Sequence, residues 1–334
     1  MIKVKEDIFQ YYFYFIQERM NIFWNKYNSL PAPYSQDKIL RDYKFTNVYR
    51  VSDRVSQYLI KEIIYNEDEE FNEEDILFRI LFFKIFNKIE TWEFIENKIG
   101  TIRTANFDLA RINQLLAERR TLIPIFSNAY MMTGTHSKYN HLDFKHEKWL
   151  QMIKDEMIGS KIIRNILKAK SLSEVYTLLR NCSFLGDFLA YQYAIDFNYS
   201  PVINFNEDSF VKAGIGAIRG IKKCFEPLGD NTFEDAIKYT AEHFEKYQKQ
   251  FGYTEFKNLF GRSLTLIDIQ NCFCETDKYL RAKRPDLQVD NIRIKQKYKE
   301  TNKPLNLFFP PKWKINSIIK EPCLQQNTKG LTLF

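Results

Sequence analysis

Two acids and an amide stand together shortly after Pro201: Asn206, Glu207 and Asp208. A carboxylate on such a loop can stabilise positive charge developing on a bound sugar, and can orient a water. Neighbouring side chains on extended backbone point opposite ways, so one of the two acids faces a pocket. Asp208 is the first candidate, Glu207 the second, and Asn206 completes the set. The same residues could instead cap a helix starting at 209, and one residue could do both.

A second polar set lies on an otherwise apolar helix predicted over 263–283. Asp268, Asn271 and Glu275 share one face of it by their spacing, with Gln270 and Asp277 nearby. Buried polar groups need partners, so these could line a pocket or brace the loop at 206–208. Gln192, in the helix before Pro201, is a similar candidate. Asn87, Lys88 and Glu90 lie at a turn between two helices, as pocket or capping residues. The block 213–223, AGIGAIRGIKK, combines three glycines with Arg219, Lys222 and Lys223. It could contact a phosphate backbone or let two helices pack closely. The string Gly, four residues, Gly-Lys-Ser/Thr that a P-loop needs is absent, which disfavours a kinase activity. Between Lys278 and Lys320 twelve Lys/Arg face three acids, so Arg281, Lys283, Arg284, Arg293 and Lys295 are phosphate-binding candidates. His136, His141 and His146 are spaced five and five and share no helical face, and no Cys or acid completes a zinc pattern. No metal or other cofactor is expected.

Helices must position these residues. Ser171 with Glu174 forms a capping box for one helix. Gly186 turns the chain into a second helix, which Pro201 stops. Further helical patterns cover 5–28, 49–65, 75–88, 91–99, 107–120, 146–169, 232–250 and 263–283. An all-α fold follows, with strand limited to a short piece such as 201–205. Residues 1–283 read as the helical body, and 284–334 as a basic, proline-containing extension ordered by packing on it. Hydrophobic residues make up 45% of 334, enough for one large or two medium domains. The net charge of +7 permits an anionic partner. Five cysteines without scaffold spacing imply reduced thiols. The start MIKVKEDIFQ has no signal-peptide pattern and no run of 18 apolar residues exists, so a cytoplasmic protein without a membrane span is expected.

The stretch 171–225 resembles the helix-hairpin-helix DNA glycosylases. Cys182–Gly186 stands for the hairpin, Ala190 for the small residue that follows, and the loop after Pro201 for the one that delivers the catalytic acid. The hairpin lacks the superfamily's proline and first glycine. Asp187 and Phe188 stand where some members carry a nucleophilic lysine, which implies a monofunctional enzyme with no lyase step. A narrower resemblance rests on FTNVYRVSDRVSQYLI (45–60), FRILFFKIFNKIETWE (78–93), GIGAIRGIKKCF (214–225) and LIDIQNCFCETDKYLR (266–281). These blocks are similar to the phage-associated alpha-glutamyl/putrescinyl-thymine pyrophosphorylase group, also labelled the helical domain of hydroxymethyluracil DNA kinases.

The resemblance implies a two-lobed, glycosylase-like helical fold acting on double-stranded DNA with modified bases. It implies a base pocket at Asn87, Gln192, Asp268, Asn271 and Glu275. It also implies backbone contacts by Gly186 and Lys88 together with the basic residues above. The leading expectation is excision of a flipped-out modified pyrimidine, with a use in defence against phages. The alternatives are a transferase or pyrophosphorylase acting on an activated hydroxymethyl-pyrimidine, and a non-catalytic DNA-binding module.

Overall fold

Apolar residues at helical spacing, punctuated by polar caps, run through nearly the whole chain. The computed structural model describes residues 2–67, 69–128, 135–287, 296–298 and 305–320. Its helices begin with α1 (Glu6–Tyr27), α2 (Lys38–Asp42), α3 (Arg54–Tyr58), α4 (Glu73–Phe86), α5 (Ile89–Ile99), α6 (Leu109–Arg120) and α7 (Lys145–Met152). They continue with α8 (Ile162–Leu167), α9 (Leu172–Arg180), α10 (Asp187–Asn198), α11 (Ile215–Cys224), α12 (Phe233–Glu242), α13 (Phe244–Gln250) and α14 (Leu266–Lys283). The fold is all-α. Among the described residues β-pairing is confined to isolated bridges, such as Val4 with Phe225, and 201–205 forms none.

The centre of the molecule is α14, packed against α1, α2, α11 and α12. Rings fill the space between them. Tyr12 stacks on Phe273 at 4.3 Å, and Phe9 packs on Phe225 at 5.1 Å. Each fully buried ring of this kind contributes roughly 1.5–3 kcal/mol. The contact of α11 with α14 is closer still. A Cβ on Gly220 would lie 2.2 Å from the Phe273 carbonyl oxygen, and one on Gly216 2.4 Å from Cys274 Sγ. The glycines of the 213–223 block therefore serve helix packing. Gly220→Ala is expected to lower unfolding stability by about 3 kcal/mol, because backbone must move to admit the methyl. Gly186→Ala meets nothing within 4 Å and should stay near the parent. Urea denaturation of the two variants checks both.

Several boundaries differ from the sequence pattern. The 49–65 helix is split into a 3-10 turn (Arg50–Ser52), α3 and a π-helical turn (Leu59–Ile64). The 232–250 pattern breaks at His243, and 146–169 divides around a π-helical turn (Ile153–Gly159). Most relevant here, the helix expected from 209 starts at Ile215, behind an extended stretch. None of residues 206–208 caps it. The described parts of the C-terminal region lie against the body. Tyr298 N donates to Asp42 O at 2.9 Å, Phe308 N to Gln57 Oε1 at 2.7 Å, and Lys320 N to the Tyr27 hydroxyl at 2.7 Å. No helix among the described residues is long and apolar enough to cross a membrane.

Candidate functional site

The loop after Pro201 opens onto a cleft of about 340 Å³. Three segments form it: Asn204–Asp208, Arg262–Thr265 and Lys312–Trp313. Glu207 is the buried member of the acid pair, 9% exposed, while Asn206 and Asp208 are exposed. Asn206 Oδ1 accepts from Asp208 N at 2.9 Å, a local turn that sets the alternation. Asp208 Oδ1 accepts from Leu266 N at 3.0 Å, so Asp208 caps the start of α14, a helix distant in sequence. Glu207 Oε1 takes a 2.7 Å bond from Arg262 Nη2. Its Oε2 makes no hydrogen bond among the described residues. The Arg262 guanidinium carbon lies over the Trp313 ring, 3.7 Å from its centroid. Lys312 donates to the carbonyls of Asn198, Ser200 (3.0 Å) and Ile203 (2.8 Å).

Burial raises the Glu207 carboxyl above its ordinary value, and the Arg262 charge offsets only part of that. Burial also pulls the Lys312 ammonium down to about 8, although Glu207 opposes the shift. Asp268 is buried and holds Thr265, which lines the cleft. Its carboxylate accepts from Arg50 N at 3.0 Å and from Thr265 N at 3.2 Å. Burial pushes it up to about 7 against those bonds. Between an unfolded value near 3.8 and that folded value, the native state keeps a proton that the unfolded state has lost. This contribution to stability is present at low pH and fades as pH rises through 7. Acidifying from pH 8 to pH 5.5 should therefore raise the parent Tm relative to Asp268→Asn by about 2 °C or more. Paired melting curves at both pH values check this.

The residues expected to line a base pocket are instead interior braces. Gln192 Oε1 accepts from Arg50 Nε at 2.7 Å, and Asp196 Oδ1 from Arg50 Nη1 at 2.7 Å. Lys84 Nζ reaches Asp196 Oδ2 at 3.2 Å and Asn87 Oδ1 at 2.8 Å. Asn87, Gln192, Asp196 and Asp268 are at most 5% exposed and join one buried network through Arg50. Asn271 donates to Asn47 O at 3.1 Å, and Glu275 accepts from Thr46 N at 3.2 Å, so both hold the 45–53 segment. None of the five lines the cleft.

The basic candidates separate in the same way. Lys223 is buried, 2.9 Å from Asp277 Oδ1, and Arg281 binds the other oxygen of that carboxylate. Both are paired with an interior acid rather than free at the surface. Lys88 donates to Pro124 O, and Arg284 pairs with Asp286 at 2.7 Å. Lys222 and Lys283 are exposed and Arg219 is half-buried. Arg293 and Lys295 lie outside the described residues.

Gly186 is exposed but does not line the cleft. The hairpin before it already holds an internal anion. Glu156 accepts from Ser183 N at 2.8 Å, Ser183 Oγ at 2.7 Å, Tyr139 OH at 2.8 Å and Lys138 Nζ at 2.8 Å. Burial works against that charge, but these bonds hold the carboxyl below its ordinary value. The amides of Leu185 and Gly186 bond within the turn. A phosphate would have to compete with partners already made.

Arg50, Lys84, Asp196, Arg262, Lys312 and Trp313 were missed by sequence reasoning. One signal was available: Gln192 and Asp196 are four apart on an otherwise apolar helix.

The model of a family described as "5-hmdU DNA kinase, helical domain" matches residues 6–289. A protein of Bacillus phage SP10 named 5-hmdU DNA kinase is 24% identical over 316 residues, covering 89% of this chain and 48% of that protein. The chain thus spans about half the length of the curated relative it matches. No solved structure matches it. These findings overturn the reading as a hydrolytic DNA glycosylase, since both carry the name of a phosphotransferase. The defence role inferred from base excision falls with it, and the transferase alternative fits better. On residues 6–289, the chain belongs to the 5-hmdU DNA kinase helical-domain family.

Proposed function

We propose that this protein takes part in group transfer at the 5-hydroxymethyl group of a pyrimidine in DNA, with the cleft holding the modified nucleotide. The observation that carries this reading is the pairing, in one cleft, of a buried carboxylate of raised pKa with a guanidinium held over an aromatic ring. The volume of about 340 Å³ falls in the range of small-molecule pockets. Chemistry on a base requires the nucleotide to leave the stack, and a cleft walled by an aromatic ring and polar side chains suits an extruded one.

Two transfers are compatible with that chemistry. In one, the hydroxymethyl oxygen attacks phosphorus and the bond from phosphorus to the donor oxygen breaks. In the other, an amine attacks the methylene carbon of an already phosphorylated group, and the carbon–oxygen bond breaks to release the phosphate. Each attacking group must lose a proton, and Glu207 is the carboxylate placed to take it. Arg262 would offset negative charge on the group transferred or released. The relative's printed activity favours the first, while the missing P-loop string favours the second for this chain.

The deciding experiment incubates the protein with DNA containing 5-hydroxymethyluracil, with and without ATP, and with the phosphorylated DNA plus amines. Nucleosides are then analysed by mass spectrometry. A phosphorylated nucleoside formed from ATP assigns the first step, and an amine-substituted nucleoside the second. Unchanged nucleosides in every arm reject group transfer and leave a DNA-binding module.

A further inference from the structure

One wall of the cleft comes from outside the region that matches the family. Residues 6–289 match, whereas Lys312 and Trp313 lie in the described segment 305–320. We propose that Trp313 is a positioning residue that orients Arg262 to receive a phosphate or diphosphate group of the substrate. The proposal rests on the cleft being the group-transfer site.

A free arginine side chain samples many rotamers, and ordering it costs binding energy. Here two contacts order the side chain beforehand, and a third fixes its backbone. Trp313 lies under the guanidinium at 3.7 Å, Glu207 takes Nη2 at 2.7 Å, and Tyr49 OH fixes the Arg262 carbonyl at 2.5 Å. The guanidinium has five donors, and among the described residues only Nη2 has a hydrogen-bond partner. The side chain keeps 22% exposure and lines the cleft. A planar fork with open donors matches two oxygens of one phosphate group, which an ammonium does not.

The ring is held as firmly as the guanidinium. Phe309 stacks on Trp313 at 6.1 Å, and Tyr199 meets its edge at 5.8 Å. Asn316 closes the 309–316 loop, accepting from Phe309 N at 2.9 Å and donating to Phe309 O at 2.7 Å. Lys312 clasps the segment to the 198–203 turn, with its donors spent on carbonyls. It therefore adds positive field to the cleft without itself being the phosphate ligand.

The test is titration calorimetry of the full chain with inorganic pyrophosphate. The parent is expected to bind it. Trp313→Leu should bind at least about tenfold more weakly, from the loss of a desolvated cation–π contact and of preorganisation. Trp313→Phe should restore binding to within about threefold of the parent, because a ring is again present. Arg262→Lys keeps the charge, leaves Trp313 in place and loses the fork; it should fall by about tenfold or more. If Trp313→Leu does not fold, that variant still tests whether Arg262 is the ligand that Trp313 would orient. No pyrophosphate binding by the parent overturns the proposal, as does parent-like binding by Arg262→Lys or by a folded Trp313→Leu. Pyrophosphate binding with no modified nucleoside in the DNA assay would retain the role of Trp313 and reject the DNA reading, so the two failures are separable.

Discussion

Asp196→Ala lowers stability by about 3–5 kcal/mol, a large share of a typical reserve of about 5–15 kcal/mol. Asp196 is fully buried and receives Arg50 at 2.7 Å and Lys84 at 3.2 Å, both themselves at most 5% exposed at the side chain. Burial works against its charge, yet the two cations hold the carboxyl below its ordinary value. Removing it strands two positive charges away from water. Asp196→Asn should cost nearly as much, because an amide cannot neutralise them. Since the folded pKa is depressed, this stabilisation is present above the unfolded value near 3.8 and is lost as pH falls through the folded one. Acid unfolding of the parent should draw on it. Equilibrium denaturation is the measurement, and a variant within about 1 kcal/mol of the parent contradicts the network. The damage would reach the cleft, because the same Arg50 donates its amide to Asp268, which holds Thr265.

Glu207→Gln carries the second large effect. Loss of a positioned proton acceptor is expected to slow the transfer step by about 100-fold or more. Gln keeps the volume and an oxygen for Arg262, so Tm should move by no more than about 3 °C. The parent rate should fall on the acid side at a pH above the ordinary glutamate range, because burial raises this carboxyl. The variant should lack that limb. Asp208→Asn is the contrast, since an amide oxygen can still accept from Leu266 N and should keep most of the activity. The opposite ranking of the two variants, measured by nucleoside mass spectrometry, would move the reaction to Asp208.

Local patterns explain which parts of this outcome were readable from the chain. Helical spacing, the Ser171 cap and the stop before Pro201 act over a few residues, so the all-α class and the ends of α9 and α10 follow from neighbours in sequence. The four blocks between 45 and 281 carried the family for the same reason, since they are contiguous strings. The activity inferred from the hairpin did not follow, since the family and the relative that match carry the name of a kinase. Polar residues were found but not their roles. Asp268 and Gln192 were legible as buried polar groups needing partners, but whether those partners were substrate or Arg50 depends on a contact 142 or more positions away.

The sequence by itself determined the helical elements, the acid loop at 206–208 and membership of the family, because each is encoded over short distances. Only the tertiary structure decided how the two acids lining the cleft are held. Asp208 is drawn to the start of α14 by a free amide 58 positions on, which leaves Glu207 inside beside Arg262. It also brought Trp313, beyond the matched region, to the wall of the cleft. Long-range burial and ion pairing make those choices, and no spacing along the chain records them.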